Sequence, residues 1–329
     1  MEFMERGIMK NYENIFFEIK AEIEKAQNII LTAHVNPDGD AVGSSLALLL
    51  ILKTEYKDKN IRLVLQDKIP DTTKFLKYSE MIEKYKEDEV YQTELLIYMD
   101  SATKERTGLI YQKVQTERTI CIDHHVSNPE YGDLNCVIRT ATSTSEIIFN
   151  FIKTCKYKLL KEAADALYLG LINDTGNFSH SNVTKEAFEM AAELLSIGVN
   201  SNYIVTNFLN SNSYQALKIV GEALSKFEFF SDKKLSYIYI DSATMDKYNA
   251  RKEDTEGIVE KILSYNQASV SLFLREETDG KIKGSMRSKY EVDVNKIANL
   301  FGGGGHYKAA GFSSSLPATE ILKIVLENL

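Results

Sequence analysis

Between residues 28 and 175, short apolar segments each lead directly into aspartate or histidine. Apolar runs of strand length that alternate with helical patterns are typical of βαβ units. Because successive parallel strands need a helical crossover, this alternation predicts an α/β domain built on a parallel sheet. The segments are 28–32, 95–99, 119–122 and the helical 161–172, and the polar residues that follow them are His34, Asp38, Asp40, Asp100, Asp123, His124, His125 and Asp174.

The pattern changes after residue 200. Asparagine and serine cluster in 200–213, and a helical pattern then continues to residue 228. Strand-like segments beyond it are mixed with short helical patterns, which predicts a smaller second α/β domain. A chain of 329 residues with 44% hydrophobic residues is long enough for two domains. We therefore expect a first domain at 1–200, a linker with a connecting helix at 201–228, and a second domain at 229–329.

Charge and cysteine usage narrow the function classes. The formal net charge is -8, which argues against a protein that holds long duplex DNA along a basic surface, although local cations can still bind a small anion. The three cysteines form no CxxC pattern and fit a reducing cytoplasm without a disulfide framework. No apolar run reaches the roughly 20 residues that a membrane span needs. We expect a cytoplasmic protein that does not bind membranes.

The aspartates and histidines are expected to meet in one crevice, because ligands bind beyond the carboxyl ends of the strands in an open parallel sheet. Carboxylate and imidazole ligands without thiolates suit Mn²⁺, Mg²⁺, Zn²⁺ or Fe. Four carboxylates packed together would repel one another, and two divalent cations would neutralise them. Two metal ions about 3.5–4 Å apart can stabilise the attacking and leaving oxygens in phosphoryl transfer. The pattern therefore favours a metal-dependent hydrolase.

These segments resemble, in order, the motifs of the DHH phosphoesterase superfamily. The segment 34–44, HVNPDGDAVGS, is similar to its first motif, and Asp-Ser-Ala at 100–102 resembles the second. Asp-His-His at 123–125 matches the third, which names the superfamily, and Asn-Asp-Thr-Gly at 173–176 resembles the fourth. The length and layout are similar to the nanoRNase/pAp-phosphatase branch, and the chain is shorter than the RecJ-type nucleases.

The resemblance implies roles for these side chains. One metal ion would be held by His34, Asp38 and Asp100, and the other by Asp40, Asp100, His124 and Asp174. The resemblance favours Mn²⁺, with Mg²⁺ as the other candidate. It also implies that Asp123 orients a neighbouring ligand and that His125 faces the phosphate and helps protonate the leaving oxygen. Separately from the resemblance, Arg106 follows Asp100 by six residues and is expected to point into the crevice.

The C-terminal segment 302–306, GGGGH, followed by Ala-Ala-Gly at 309–311, resembles the DHH-associated substrate-binding domain. Successive glycines expose backbone N–H groups and let the backbone approach an anion closely. An arginine such as Arg287 can pair bidentately with a phosphate. The expected substrate-binding residues are Arg287, Ser288, Gly303, Gly304, Gly305 and His306.

The activity implied by the resemblance is the degradation of short oligoribonucleotides to mononucleotides and the dephosphorylation of 3′-phosphoadenosine 5′-phosphate (pAp). Both reactions break an ester at a ribose 3′ oxygen, so one site can serve both. The partner would be short single-stranded RNA or a small nucleotide, and a homodimer remains open. The alternatives are hydrolysis of cyclic di-AMP or pApA, an inorganic pyrophosphatase, and a non-catalytic nucleotide-binding regulator. A regulator would be expected to have lost a metal ligand, and none of the expected ligands is missing.

Overall fold

The computed structural model describes the backbone of residues 2–329 and the side chains of residues 12–329. The chain divides into two compact units, Met1–Ser211 and Asn212–Leu329. The segment 201–228, expected as a linker, is largely helical and contributes one helix to each unit. The helices are α1 (Glu2–Lys25), α2 (Gly39–Glu55), α3 (Ile110–Lys113), α4 (Thr144–Thr154), α5 (Lys161–Asp174), α6 (Lys185–Ile197), α7 (Ser201–Phe208), α8 (Tyr214–Ser225), α9 (Ser242–Lys247), α10 (Ile258–Leu263), α11 (Val294–Asn299) and α12 (Ala318–Glu327).

The first unit is built on a six-stranded sheet in the order β3-β2-β1-β4-β5-β6. Every neighbouring pair of strands is parallel, which confirms the predicted fold class. The two edge strands were not predicted, because they have only three and four residues and show little hydrophobic alternation. The strands are β1 (Asn28–Thr32), β2 (Asn60–Leu65), β3 (Ile82–Lys84), β4 (Gln92–Met99), β5 (Gln115–Asp123) and β6 (Leu134–Val137).

Helix α2 is the central helix of this unit and is buried over most of its length. It begins where the Asp38 side chain accepts hydrogen bonds from the backbone N–H groups of Asp40 and Ala41, at 3.0 and 3.1 Å. Helix α5 packs closely against it, and a Cβ atom at Gly43 would lie 3.0 Å from the backbone nitrogen of Gly170. Glycine is therefore required at position 43 for the two helices to approach this closely.

The second unit contains a six-stranded mixed sheet in the order β11-β12-β10-β9-β8-β7. Strands β8 and β9 are parallel and the other pairs are antiparallel. Helices cover both faces, since one buried cluster includes residues of α11 and α12 and another includes residues of α8 and α10. The strands are β7 (Glu228–Phe230), β8 (Leu235–Ile240), β9 (Val270–Glu276), β10 (Ile282–Ser288), β11 (Gly304–His306) and β12 (Ala309–Ser314).

Two further observations concern the chain as a whole. The three cysteines are buried and form no disulfide. Across residues 2–329, no helix combines the length and the apolar character needed to cross a bilayer.

Candidate metal centre

The polar residues of the first unit gather at the carboxyl edge of its sheet. Strands β1, β4 and β5 are neighbours there, so the loops that follow them lie side by side. Asp100 is the first residue after β4 and has a positive φ of 48°. Its backbone N–H donates to the carbonyl of Ile122 at 3.0 Å, which ties the end of β4 to β5. A left-handed backbone conformation costs a residue other than glycine about 1–2 kcal/mol. Asp100, which adopts it, is one of the polar residues gathered at this edge of the sheet.

His34, Asp38 and Asp100 form one group whose ligand atoms lie within 4.8 Å of one another. The Nε2 atom of His34 lies 3.8 Å from Oδ1 of Asp38 and 3.7 Å from Oδ2 of Asp100. Nδ1 of His34 lies 2.9 Å from the Val35 carbonyl, which can only accept, so Nδ1 carries the proton. Nε2, which faces the two carboxylates, is therefore the nitrogen that a metal ion could bind in place of a proton.

Asp40, His124 and Asp174 form a second group of the same kind. The Nε2 atom of His124 lies 3.1 Å from Oδ2 of Asp174 and 3.6 Å from Oδ1 of Asp100. Asp100 thus turns one carboxylate oxygen towards each group, Oδ2 to His34 and Oδ1 to His124. It is the residue through which the two groups are connected.

The N-terminus of α4 holds the carboxylate of Asp40. The backbone N–H of Thr144 donates to Oδ2 at 2.7 Å, and that of Ser145 donates to Oδ1 at 2.9 Å. The hydroxyl of Thr144 also donates to Oδ1 of Asp100 at 3.1 Å. Free N–H groups at the start of a helix favour an anion. The two backbone contacts to Asp40 could not be predicted from the sequence. The pattern around Ser143 indicates that a helix starts there, but it does not indicate which distant residue the helix start binds.

The carboxylates disfavour one another in this arrangement. Burial and the charge of Asp100 raise the pKa of Asp40 to about 7. Burial, followed by the charges of Asp38 and Asp174, raises the pKa of Asp100 to about 7. Burial and the charge of Asp40 raise the pKa of Asp174 to about 6. A divalent cation would relieve this repulsion, so the donor set fits a metal ion of the kind that carboxylates and imidazoles bind.

Asp123 and His125 form a hydrogen-bonded pair beside these groups. Oδ1 of Asp123 lies 2.7 Å from Nδ1 of His125 and accepts the backbone N–H of His124 at 2.9 Å. Burial opposes a charged imidazole, but the bond to Asp123 and the charges of Asp123 and Asp100 together outweigh it and raise the pKa of His125. Nε2 of His125 makes no hydrogen bond to any residue that the structure describes. The pair therefore has the geometry of a carboxylate that orients an imidazole.

Arg106 lies in a short 3₁₀ turn, Lys104–Thr107, and its side chain is exposed. Its carbonyl accepts the backbone N–H of Val35 at 2.6 Å, which links this turn to the loop after β1. Its guanidinium forms no ion pair with the carboxylates of the described part of the chain. The structure thus links the backbone of Arg106 to the loop that carries His34 and Asp38.

In the second unit, Arg287 and His306 both pair with Ala309, from strands on either side of β12. Paired residues in an antiparallel ladder share a face, so the two side chains leave the same face of the sheet with a small residue between them. Nε of Arg287 already lies 2.9 Å from a carboxylate oxygen of Glu260. Ser288 is buried, and its hydroxyl donates to the Val292 carbonyl at 2.6 Å.

Gly303 and Gly305, which precede His306, lie too close to strand β12 to carry a side chain. A Cβ at Gly303 would lie 2.7 Å from Cα of Phe312, and one at Gly305 would lie 2.7 Å from Cα of Ala310. Gly304 lies between them in the exposed edge strand β11 and has room for a side chain. Close backbone packing against β12 therefore requires glycine at 303 and 305, and this requirement does not depend on any bound ligand.

Comparison with known protein families identifies both units. Residues 28–171 match the model of the DHH family, N-terminal domain, and residues 232–328 match the DHHA1 domain. The bifunctional oligoribonuclease and PAP phosphatase NrnA of Thermus thermophilus is 32% identical over 296 residues, which cover 88% of this chain and 86% of that protein. The Bacillus subtilis protein of the same name is 30% identical over 299 residues, 90% of this chain and 92% of its own length.

Solved structures agree with this assignment. The crystal structure of an exopolyphosphatase-related protein from Bacteroides fragilis superposes with a TM-score of 0.89 at 29% identity and covers 96% of both chains. RecJ of Thermus thermophilus, solved with Mn²⁺, superposes with a TM-score of 0.58 at 12% identity, over 97% of this chain and 54% of RecJ. That second likeness concerns the fold alone. The family models and the relatives confirm the resemblance of the motifs, and the chain belongs to the DHH family, in its NrnA branch, with a C-terminal DHHA1 domain.

Proposed function

We propose that this protein is a metal-dependent phosphodiesterase that hydrolyses short oligoribonucleotides to mononucleotides and removes the 3′-phosphate of pAp. Relatives that carry this activity in their names are 30–32% identical over about nine-tenths of the chain. The observation that carries the proposal is the pair of donor groups joined by Asp100. Two such groups suit the binding of two cations on one phosphate.

Each donor group would hold one divalent ion. His34, Asp38 and Asp100 would hold the first, and Asp40, His124 and Asp174 would hold the second together with Asp100. The donors suit Mn²⁺, Mg²⁺, Zn²⁺ or Fe; we propose Mn²⁺, with Mg²⁺ as the alternative, because the resemblance of the motifs to the DHH superfamily favours it. When bound, the ions supply Lewis acidity that stabilises charge developing on the phosphoryl oxygens.

The pair of Asp123 and His125 would manage the proton of the leaving group. Asp123 accepts from Nδ1 of His125 and so fixes the tautomer and the orientation of the ring. In its charged form His125 then presents an Nε2–H, which can protonate a ribose 3′ oxygen as it leaves. The buried carboxylate of Asp123 stabilises that charged imidazole, so His125 would already carry the proton when the reaction begins.

The second unit would bind the substrate. Arg287 and His306, on one face of the sheet, are proposed to contact a phosphate of short single-stranded RNA or of a small nucleotide. Glu260 competes with that phosphate for Arg287, so binding would exchange one anion for another. Ser288 and the backbone of 303–305 are proposed to border the same subsite. Arg106 has no charged partner in the described residues, and it is proposed to meet a substrate anion near the loop after β1.

A substrate panel tests the proposal. Turnover of pAp, a ribodinucleotide, pApA, cyclic di-AMP and pyrophosphate would be compared with Mn²⁺ supplied and again after chelation. We expect turnover of the dinucleotide and pAp that chelation removes and Mn²⁺ restores. Faster turnover of cyclic di-AMP or of pyrophosphate would contradict the proposal. Binding of nucleotides without turnover of any of them would indicate a regulator.

A further inference from the structure

Asn128 lies three residues after His125 and is almost completely buried. Its amide nitrogen donates to Oδ2 of Asp123 at 2.6 Å and to the carbonyl of Ser101 at 3.2 Å. Its side-chain oxygen accepts the backbone N–H of Glu130 at 2.7 Å. Both amide hydrogens therefore have partners, which also fixes the orientation of the amide group, since a carboxylate and a carbonyl can only accept.

These bonds divide the carboxylate of Asp123 between two partners. One oxygen orients His125, and the other is held by Asn128. Asp123 is fully buried, so an oxygen without a donor would keep the whole cost of desolvation. Without Asn128, the carboxylate is expected to turn towards another donor and to carry His125 with it.

The backbone of the loop that carries Asn128 is held by hydrogen bonds from the side chain of Arg139. The guanidinium donates to the carbonyl of Asn128 at 2.9 Å and to that of Val126 at 3.3 Å, and it pairs with Glu130 at 3.0 Å. Arg139 itself is partly exposed, with 41% of its side chain accessible. It therefore touches the loop from the solvent side, and the chain of contacts runs from the surface to His125.

We propose that Asn128 is a positioning residue, which holds Asp123 so that His125 can deliver a proton to the leaving ribose oxygen. Arg139 supports the same geometry by fixing the backbone of Asn128. The inference rests on the proposed function, because it requires His125 to act as the proton donor. A merely structural role and a positioning role predict different rates. If Asn128 positions Asp123, replacing Asn128 lowers the rate most for substrates whose leaving group needs a proton.

The test compares two substrates that differ only in the leaving group. A ribodinucleotide releases a ribose 3′ oxygen, which needs protonation, and a nucleoside 5′-(p-nitrophenyl phosphate) releases p-nitrophenolate, which does not. In Asn128→Ala, we expect kcat for the dinucleotide to fall about 10- to 100-fold, part of the roughly 10²–10⁴-fold that proton transfer contributes. We expect kcat for the p-nitrophenyl ester to stay within about threefold, and KM for both to change little.

Asn135→Ala is the matched control. The Asn135 side chain bonds the backbone of Gly132, at 2.9 and 2.7 Å, and makes no hydrogen bond to Asp123 or to any other residue whose side chain the structure describes. It should leave the ratio of the two rates unchanged. In contrast, Asn128→Asp places an acceptor against Asp123 and should lower the dinucleotide rate more than Asn128→Ala does. Mn²⁺ binding measured by calorimetry should remain as in the wild type for Asn128→Ala.

The outcomes separate the inference from the function on which it rests. If the wild type hydrolyses neither substrate, the proposed function fails. If the wild type is active and Asn128→Ala lowers both rates equally, or neither, the positioning role is wrong. Should Asn128→Ala fail to fold, Arg139→Ala at the surface decides: a loss of at least about threefold, confined to the dinucleotide, supports the role, and equal rates refute it.

Discussion

Replacing Gly170 by alanine should damage both the stability of the first unit and its metal centre. Gly170 lies within α5, where its Cα faces Ser145 and Asp40. An added Cβ would lie 2.5 Å from Oδ1 of Asp40 and would overlap the hydroxyl of Ser145. The Ser145 hydroxyl can rotate away, but the Cβ of Ser145 lies 2.9 Å from the added Cβ and the carboxylate of Asp40 is fixed by the N-terminus of α4.

The size of the effect follows from three contributions. Alanine in place of glycine favours a helix by about 1 kcal/mol. Overpacking a tight core costs about 1–3 kcal/mol, and displacing Asp40 from the N–H of Ser145 loses a charged hydrogen bond worth about 1.5–3 kcal/mol. The net loss of unfolding free energy is about 1.5–5 kcal/mol, or about 3–20 °C in the Tm of a unit of this size.

Thermal denaturation of the whole chain, with and without Mn²⁺, measures this effect. Gly221→Ala is the control, because Gly221 is exposed in α8 and an added Cβ would have no atom within 4 Å. It should raise or leave unchanged the Tm of the second unit. Gly170→Ala should also bind Mn²⁺ more weakly, since Asp40 is displaced. A variant at position 170 with wild-type Tm and wild-type Mn²⁺ affinity would refute this account of the packing around Asp40.

Three further predictions concern other groups. Asp100→Ala should lower turnover by at least about 100-fold, because it removes the carboxylate shared by both donor groups, while circular dichroism stays unchanged. Glu146→Gln should flatten the decline of Tm as the pH rises above the ordinary range of a carboxyl group, because burial raises the pKa of Glu146 and its ionisation then opposes folding; an unchanged profile would contradict this. Glu260→Gln should lower KM for a dinucleotide by up to about fivefold, because it frees Arg287 from an exposed ion pair; an unchanged or higher KM would speak against competition at that arginine.

The first unit could be predicted well from the sequence, because its information is local. Each central strand is a short apolar run, and each polar residue of interest follows within a few residues of a strand or helix end. Neighbouring parallel strands bring those ends to one edge, so the grouping of His34, Asp100 and His124 follows from the strand order. The roles of these side chains remain predictions, since grouping alone does not demonstrate binding.

What the sequence could not provide are the contacts between distant segments. No local pattern pairs Asp40 with the start of α4, or Arg287 with Glu260, because both contacts depend on how helices pack against the sheets. The hydrogen bond between Asn128 and Asp123 could not be predicted either, since an asparagine in a polar loop usually indicates a turn. The position of Arg106 in the crevice stays a prediction: its side chain is exposed, and its backbone carbonyl accepts the N–H of Val35 in the loop after β1.

The span of the donor groups along the chain has a consequence for synthesis. The first donor, His34, and the last, Asp174, are separated by 140 positions (174 − 34), and α5 must pack against α2 before Asp174 can face His124. A polypeptide still growing on the ribosome therefore lacks the second donor group until α5 has emerged and docked. The second of the two proposed ions could therefore be bound only after α5 has been synthesised and has packed against α2.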